Sequence, residues 1–184
     1  MCIKLDDNKK LFFISDLHLF HKNIIKYQNR PFRDVQDMTE QLIHNWNSVV
    51  SDDDQIIFLG DFICGIHNAK EVSEHIYECL NGIKFFIRGN HDDEHKISKN
   101  LPWCHNDHDL HFVKYKEYDL ILRHRPFEKK HLHRVDKSIL IHGHTHHTQM
   151  VSYINNYKMI NVSCEAINYK PISFEDVLQC QLSK

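Results

Sequence analysis

The chain has 184 residues, a formal net charge of −2, and hydrophobic and charged fractions of 41% and 26%. These are the proportions of a soluble folded protein, expected as one domain over 1–184, and they exclude the global basic field that drives indiscriminate nucleic-acid binding. Apolar runs such as IIFL at 56–59 are too short to span a bilayer, and the start MCIKLDDNKKLFF has acidic residues and no small-residue cleavage site; a cytoplasmic protein is expected, with no membrane and no protein partner implied.

Taken in chain order, LFFISD at 11–16 is a short apolar run ending in a carboxylate, the pattern of a buried strand. A helical spacing follows over 34–50, with Met38, Leu42, Trp46 and Val49 on one face and Asp34 as N-cap. IIFLGD at 56–61 repeats the strand pattern. A second helix is predicted over 68–82, opened by Asn68 and Glu71 as a capping box and closed at Asn81-Gly82. KFFIRGNHD at 84–92, LILRH at 120–124 and SILIHGH at 138–144 complete a series of five apolar runs that end in Asp, Asn or His. QMVSYINNYKMINVS at 149–163 predicts a hairpin around Asn155-Asn156, and SFEDVLQCQ at 173–181 a closing helix capped by Ser173. The fold class is therefore α/β, with two mixed sheets packed as a sandwich and helices outside. In parallel β-α-β units ligand sites lie beyond the carboxyl ends of the strands, which is where the recurring polar residues stand.

Those residues are Asp16 and His18 in SDLH, Asp61 in LGD, Asn90 and His91 in GNHD, His124 in LRH, and His144 and His146 in GHTH. On an extended segment, residues two apart project the same way, so each D-x-H or H-x-H pair can converge on one point. Carboxylate, amide and imidazole form a hard-to-borderline set suited to Mn, Fe, Zn or Ni. The six cysteines form no C-x-x-C pair and read as reduced thiols in or near the core.

The ordered series D-x-H, GD, GNHD, a lone His after a strand, then GHxH resembles the calcineurin-like metallophosphoesterases over residues 14–146. HKNIIKYQNRPF, LIHNWNSVV and INYKPISFED are further similar to the small bacterial and phage members of that superfamily. The resemblance implies an α/β/β/α fold and two divalent transition-metal ions, Mn foremost. One ion would take Asp16, His18, Asp61 and His146; the other would share Asp61 and take Asn90, His124 and His144. Gly143 would let the turn bend tightly enough to deliver both His144 and His146. His91, which binds no metal in that family, would be the general acid, with Asp92 orienting it or capping a helix. The implied activity is hydrolysis of a phosphoester, nucleotide or nucleic-acid-derived, by attack of a metal-bridging hydroxide. Diesters are favoured because a compact chain has little sequence to spare for a cap over the site.

Other features have plainer readings. His142 and His147 are expected to be structural, and HNDHDLH at 105–111 a solvated loop. Within the basic run Arg123, Arg125, Lys129, Lys130 and Arg134, Arg125 could hold a substrate phosphate. His21 could touch substrate, with Arg30 and Arg33 weaker candidates. LGDFICG lacks the GDxVDRG continuation of the protein Ser/Thr phosphatases, which argues against that substrate. A non-catalytic scaffold with this fold, which some members are, would be expected to have lost ligands; here all seven ligand positions and His91 keep competent side chains. A metal-storage module would cluster its histidines locally, whereas these are spread over 130 residues.

Overall fold

The computed structural model describes residues 3–66, 69–94, 104–105, 110–132, 135 and 137–183. In chain order the elements are β1 (Leu11–Ile14), α1 (Lys22–Tyr27), α2 (Val35–Asn47), β2 (Gln55–Phe58), α3 (Ala69–Cys79), β3 (Ile83–Ile87), α4 (Asn90–Glu94), β4 (Cys104–His105), β5 (His111–Tyr115) and β6 (Tyr118–Arg123). A 3-10 turn at Lys129–His131 leads to β7 (Ile139–His142), β8 (Val151–Ile154), β9 (Tyr157–Asn161), β10 (Ile172–Ser173) and α5 (Phe174–Leu182).

The strands form two mixed sheets, ordered β10-β1-β2-β3-β4 and β5-β6-β7-β9-β8. In the first, β1 to β4 are parallel and β10 joins antiparallel. In the second, β6, β7 and β9 are parallel between antiparallel edges. Strands β1, β2 and β7 are buried at every position, as expected of parallel strands covered on both faces. Alternation along the second sheet separates two cores. Leu120, Leu122, Ile139, Ile141 and Ile160 join the main cluster with Phe13, Phe58 and Trp46, so the sheets pack face to face. Ile121, Leu140 and Met159 face the other way, onto Phe127 and Val135. Helices cover the first sheet as expected; over the second, these described partners come from the segment around the 3-10 turn, not from a helix.

Local chemistry accounts for the elements. Asp34 caps α2 by accepting from Gln36 N and Asp37 N, and Ser173 caps α5 by accepting from Asp176 N. Met38, Leu42 and Trp46 form the buried stripe of α2, while Val49 lies beyond the helix end. Trp46 is fully buried, donates through Nε1 to Asn81 O at 3.0 Å, and stands 6.4 Å from the Phe58 ring. The 149–163 hairpin forms with Asn155 at φ 53. Asn68, the expected cap of α3, lies outside the described residues, as do Cys2, Arg134 and positions 106–109 of the HNDHDLH stretch, whose last residue begins β5. Cys64 and Cys164 are buried as expected, but Cys79 is exposed on α3. No described helix is long and apolar enough to cross a membrane.

Trp46 bridges α2, the α3–β3 turn and the first sheet, so Trp46→Ala should cost about 3–5 kcal/mol by the lost packing and the cavity. Urea unfolding is expected to show a lower midpoint with an unchanged slope.

Candidate metal centre

The backbone pairing of β1 with β2 continues past both strands. Asp16 N donates to Gly60 O, His18 N to Asp61 O, Leu19 N to Phe62 O and Cys64 N to Leu19 O, each near 3 Å. β1 also reaches the second sheet, where Ser15 N donates to Val162 O and Cys164 N to Ser15 O. Gly143 N donates to His124 O at 2.9 Å and Val162 N to His142 O at 2.8 Å, so the ends of β1, β2, β6, β7 and β9 are joined in one place.

Their polar residues leave the strands in an unexpected backbone form. Asp16, His18, Asp61, His144 and His146 have φ of 60°, 49°, 62°, 72° and 52°. The paired ligands converge through alternating left-handed turns, not through extended segments as the spacing suggested. Left-handed conformations are uncommon outside glycine and concentrate at functional sites. Gly143 also serves differently than expected: it has no positive φ, but a Cβ there would lie 1.8 Å from Ser15 Oγ and 2.7 Å from Asp16 Oδ2. It is required for close approach of the two sheets.

Two groups of side chains result, Asp16, His18, His146 and Asp61, His124, His144, each able to hold a metal ion. In each carboxylate one oxygen is fixed by main-chain donors. Asp16 Oδ2 accepts from His144 N at 2.8 Å and from the Ser15 hydroxyl, leaving Oδ1, without a hydrogen-bond partner, 3.8 Å from His18 Nε2 and 3.7 Å from His146 Nε2. Asp61 Oδ1 accepts from His91 N at 2.8 Å, leaving Oδ2 3.6 Å from His18 Nε2 and 3.3 Å from His124 Nε2. Asn90 Oδ1 lies 3.1 Å from His124 Nε2. Ligand atoms about 2.0–2.2 Å from a common ion stand roughly 3–3.5 Å apart, close to these separations. Buried atoms with no partner, Asp16 Oδ1 and both His18 nitrogens, fit a cation better than they fit each other.

Two imidazoles are held from behind. His124 Nδ1 is 2.6 Å from Leu59 O, and His146 Nδ1 is 3.1 Å from Glu165 Oε2, so each turns Nε2 inward. Arg30 holds Glu165 in turn, at 2.8 Å from both Nε and Nη2, and donates to Asp16 O at 2.7 Å and Leu17 O at 2.8 Å. Arg30 is buried and committed to these bonds, which removes it as a substrate contact; Arg33 is exposed and paired with Asp37. Glu165 and Arg30 lie 135 positions apart in sequence and neither was expected to support the site.

The buried Asp92 carboxylate accepts from Asp61 N, Phe62 N and Gly89 N at 2.8–2.9 Å, tying the turns after β2 and β3 together. The His91 ring stands edge-on to His18, with centroids 5.3 Å apart. His21 is 5.9 Å from His18 by the same measure. Arg125 is exposed, with Nη1 3.2 Å from His144 Nε2. Elsewhere in the basic run, Arg123 is buried against Pro126 O and His131, and Lys130 pairs with Glu128. His142 is buried beside Gly143 O, and the exposed His147 accepts from Asn161 through its carbonyl.

Burial opposes charge on these groups, yet the His124 hydrogen bond and charge, with His18 and the His91 N–H, hold the Asp61 carboxyl well below its usual range. Burial is likewise outweighed at His124, which Asp61, Asp16 and the Leu59 carbonyl raise to about 9. His18 is driven well down, by burial first. His144 is lowered by burial and by the positive charges of His124 and Arg125. At His146 the Glu165 contact outweighs burial and raises it.

No protein-family profile matches the chain. It is 42% identical over 174 residues to the uncharacterised protein MJ1445 of Methanocaldococcus jannaschii, covering 93% of this chain and 90% of that one. The chain therefore belongs to the MJ1445 family. The Gene 66 protein of Mycobacterium phage L5 is 29% identical, with 84% and 86% covered. A crystal structure of the Aquifex aeolicus protein of unknown function AQ665 superposes with a TM-score of 0.70 at 24% identity, over 94% of this chain and 100% of that chain, a likeness of fold.

Glu165→Gln keeps a hydrogen-bonding side chain but removes the charge behind His146, and should weaken ion binding at the Asp16 group about 10–100-fold in metal titrations. In the metal-free protein the raised His124 stabilises the fold fully below its ordinary 6.5, and that contribution is lost as pH rises through about 9. The melting temperature of metal-free protein should fall over that window, and Asp61→Asn should flatten the decline.

Proposed function

We propose that this chain is a dinuclear metal-dependent phosphoesterase of the calcineurin-like type, with a preference for phosphodiesters. The observation that carries the reading is Asp61 Oδ2, one carboxylate oxygen facing an imidazole of each ligand group. A single oxygen so placed is suited to bridging two cations. The ordered motifs and the sandwich of two mixed sheets with ligands at the strand ends support the same conclusion.

Asp16, His18, Asp61 and His146 would hold one ion, and Asp61, Asn90, His124 and His144 the other, with Mn favoured and Fe, Zn or Ni compatible with the donor set. Two such ions, when bound, supply Lewis acidity toward a phosphoryl oxygen and acidify water toward a pKa of ~7. Asp61 sets the spacing of the pair, while Arg30 and Glu165 keep His146 aimed inward. His91, beside the first group without belonging to it, would give its ring proton to the leaving alkoxide. Arg125 would steady a non-reacting phosphoryl oxygen at the edge of the second group.

A phosphomonoesterase is the second reading, favoured by Arg125 standing 3.2 Å from His144 Nε2, where a guanidinium could receive the extra charge of a dianion.

The test is hydrolysis of bis-nitrophenyl and nitrophenyl phosphate by Mn²⁺-reconstituted protein, beside cyclic nucleotides, dinucleotides and alkyl esters. The diester should react faster. Asp61→Ala should lose both ions by elemental analysis. His91→Ala should keep them and lose about 10²- to 10⁴-fold in turnover on alkyl esters, and much less on nitrophenyl esters, whose leaving group needs no proton. A monoester preference that collapses in Arg125→Ala selects the second reading, and inactivity on every ester with two ions bound rejects both.

A further inference from the structure

A third set of ligand atoms adjoins the two groups, sharing His18 with the first and adding His21 and Cys64, to which the proposed reaction gives no role. One ring nitrogen of His18, one of His21 and Cys64 Sγ all lie within 4.8 Å of one another. The extended pairing of the two strand ends produces this cluster: the parallel bridge Leu19–Ile63 and the bond from Cys64 N to Leu19 O at 3.0 Å bring the segment after Asp61 beside the segment after His18. Gly65, at φ 84°, then turns the chain beneath His21, where a Cβ would meet His21 Cα at 3.8 Å.

His18 supplies an independent observation. It is only 2% exposed, and neither of its ring nitrogens has a hydrogen-bond partner. Its Nε2 lies within 3.8 Å of Asp16 Oδ1 and Asp61 Oδ2. The second nitrogen of a metal-bound imidazole normally donates to a carboxylate or carbonyl, as His146 and His124 do through Nδ1 to Glu165 and Leu59 O. His18 Nδ1 has no such acceptor. A buried imidazole of this kind, next to a second imidazole and a thiol, is equipped to bind an ion with them in place of one beside Asp16.

We propose that His18, His21 and Cys64 form a third ion site, which takes a zinc-class ion and shares His18 with the dinuclear centre. Two imidazoles and a thiolate make a softer set than the carboxylate- and amide-bearing groups beside it, so the third site prefers zinc where the others accept manganese. The Cys64 thiol gives up its proton on binding. A neutral imidazole carries one lone pair for coordination, so His18 serves one site at a time. An ion at the third site therefore weakens the Asp16 group, whatever reaction the paired groups perform.

Cobalt(II) is the probe, titrated into chelator-stripped full-length protein carrying Cys79→Ser. That background is needed because Cys79 Sγ is 3.9 Å from His75 Nε2 on the exposed face of α3 and would give a sulfur signal of its own. A near-ultraviolet sulfur-to-cobalt charge-transfer band is expected, displaced by zinc and absent when Cys64→Ser is added. His21→Ala should require at least tenfold more cobalt for the same band, and it carries the test if the Cys64 variant loses its fold by circular dichroism. No sulfur band at saturating cobalt overturns the proposal, as does a band that survives Cys64→Ser or is unmoved by His21→Ala.

Discussion

The site depends on a buried carboxylate that is not itself a ligand. Asp92 accepts main-chain hydrogen bonds from Asp61, Phe62 and Gly89, fastening the turn after β2 to the turn after β3. Burial first, and then the nearby Asp61, push its carboxyl above the usual range, so those three donors are what keep its acceptor role satisfied. Tight contact follows from the fastening: a Cβ on Gly89 would lie 2.2 Å from Asp61 Oδ1, and one on Gly60 2.5 Å from Gly89 N. With the two turns pressed backbone to backbone, Asp61 has one orientation, and its Oδ2 faces both ligand groups.

A second support reaches the same residues from the opposite side. Arg30, just past the end of α1, donates to the carbonyls of Asp16 and Leu17 and holds Glu165, which in turn holds His146. Breaking a buried ion pair by removing one partner is costly, about 3–5 kcal/mol, because the other charge remains buried. The first sheet's ligand loop and the second sheet's histidine turn are thus joined by one guanidinium. Asp16 adds a direct link, since its Oδ2 accepts from His144 N across the two sheets.

The sequence was most readable where period and position coincide. Apolar runs ending in a polar residue located β1, β2, β3, β6 and β7, and Asp34 and Ser173 were identifiable as caps because capping acts within three residues. The gathering of Asp16, His18 and His146, and of Asp61, His124 and His144 with Asn90 beside His124, was suggested by their order along the chain. What failed to show was whatever depends on distant pairing. Glu165 looks like any surface acid until Arg30 and His146 are beside it. The basic run around His124 suggested a charged face, but Arg123 turns inward to the Pro126 carbonyl while Arg125 stands against the site. The short strands β4 and β10 contain two residues each, too few to carry a period. The left-handed turns were invisible because nothing in D-x-H or H-x-H distinguishes them from extended chain.

Those turns bear on how such a protein can diverge. At φ between 49° and 72° an ordinary L-residue is under strain, whereas glycine and, less fully, asparagine are at ease. Of these five positions, two are aspartate and three histidine, residue types that tolerate this region better than most and that the proposed ion binding would keep there. Once selection for the site relaxes, glycine or asparagine at these positions would improve the local backbone while discarding a ligand. On the proposed function, loss of the site is thus downhill for the local backbone, and a descendant that drifts into a purely architectural role keeps its sheets intact.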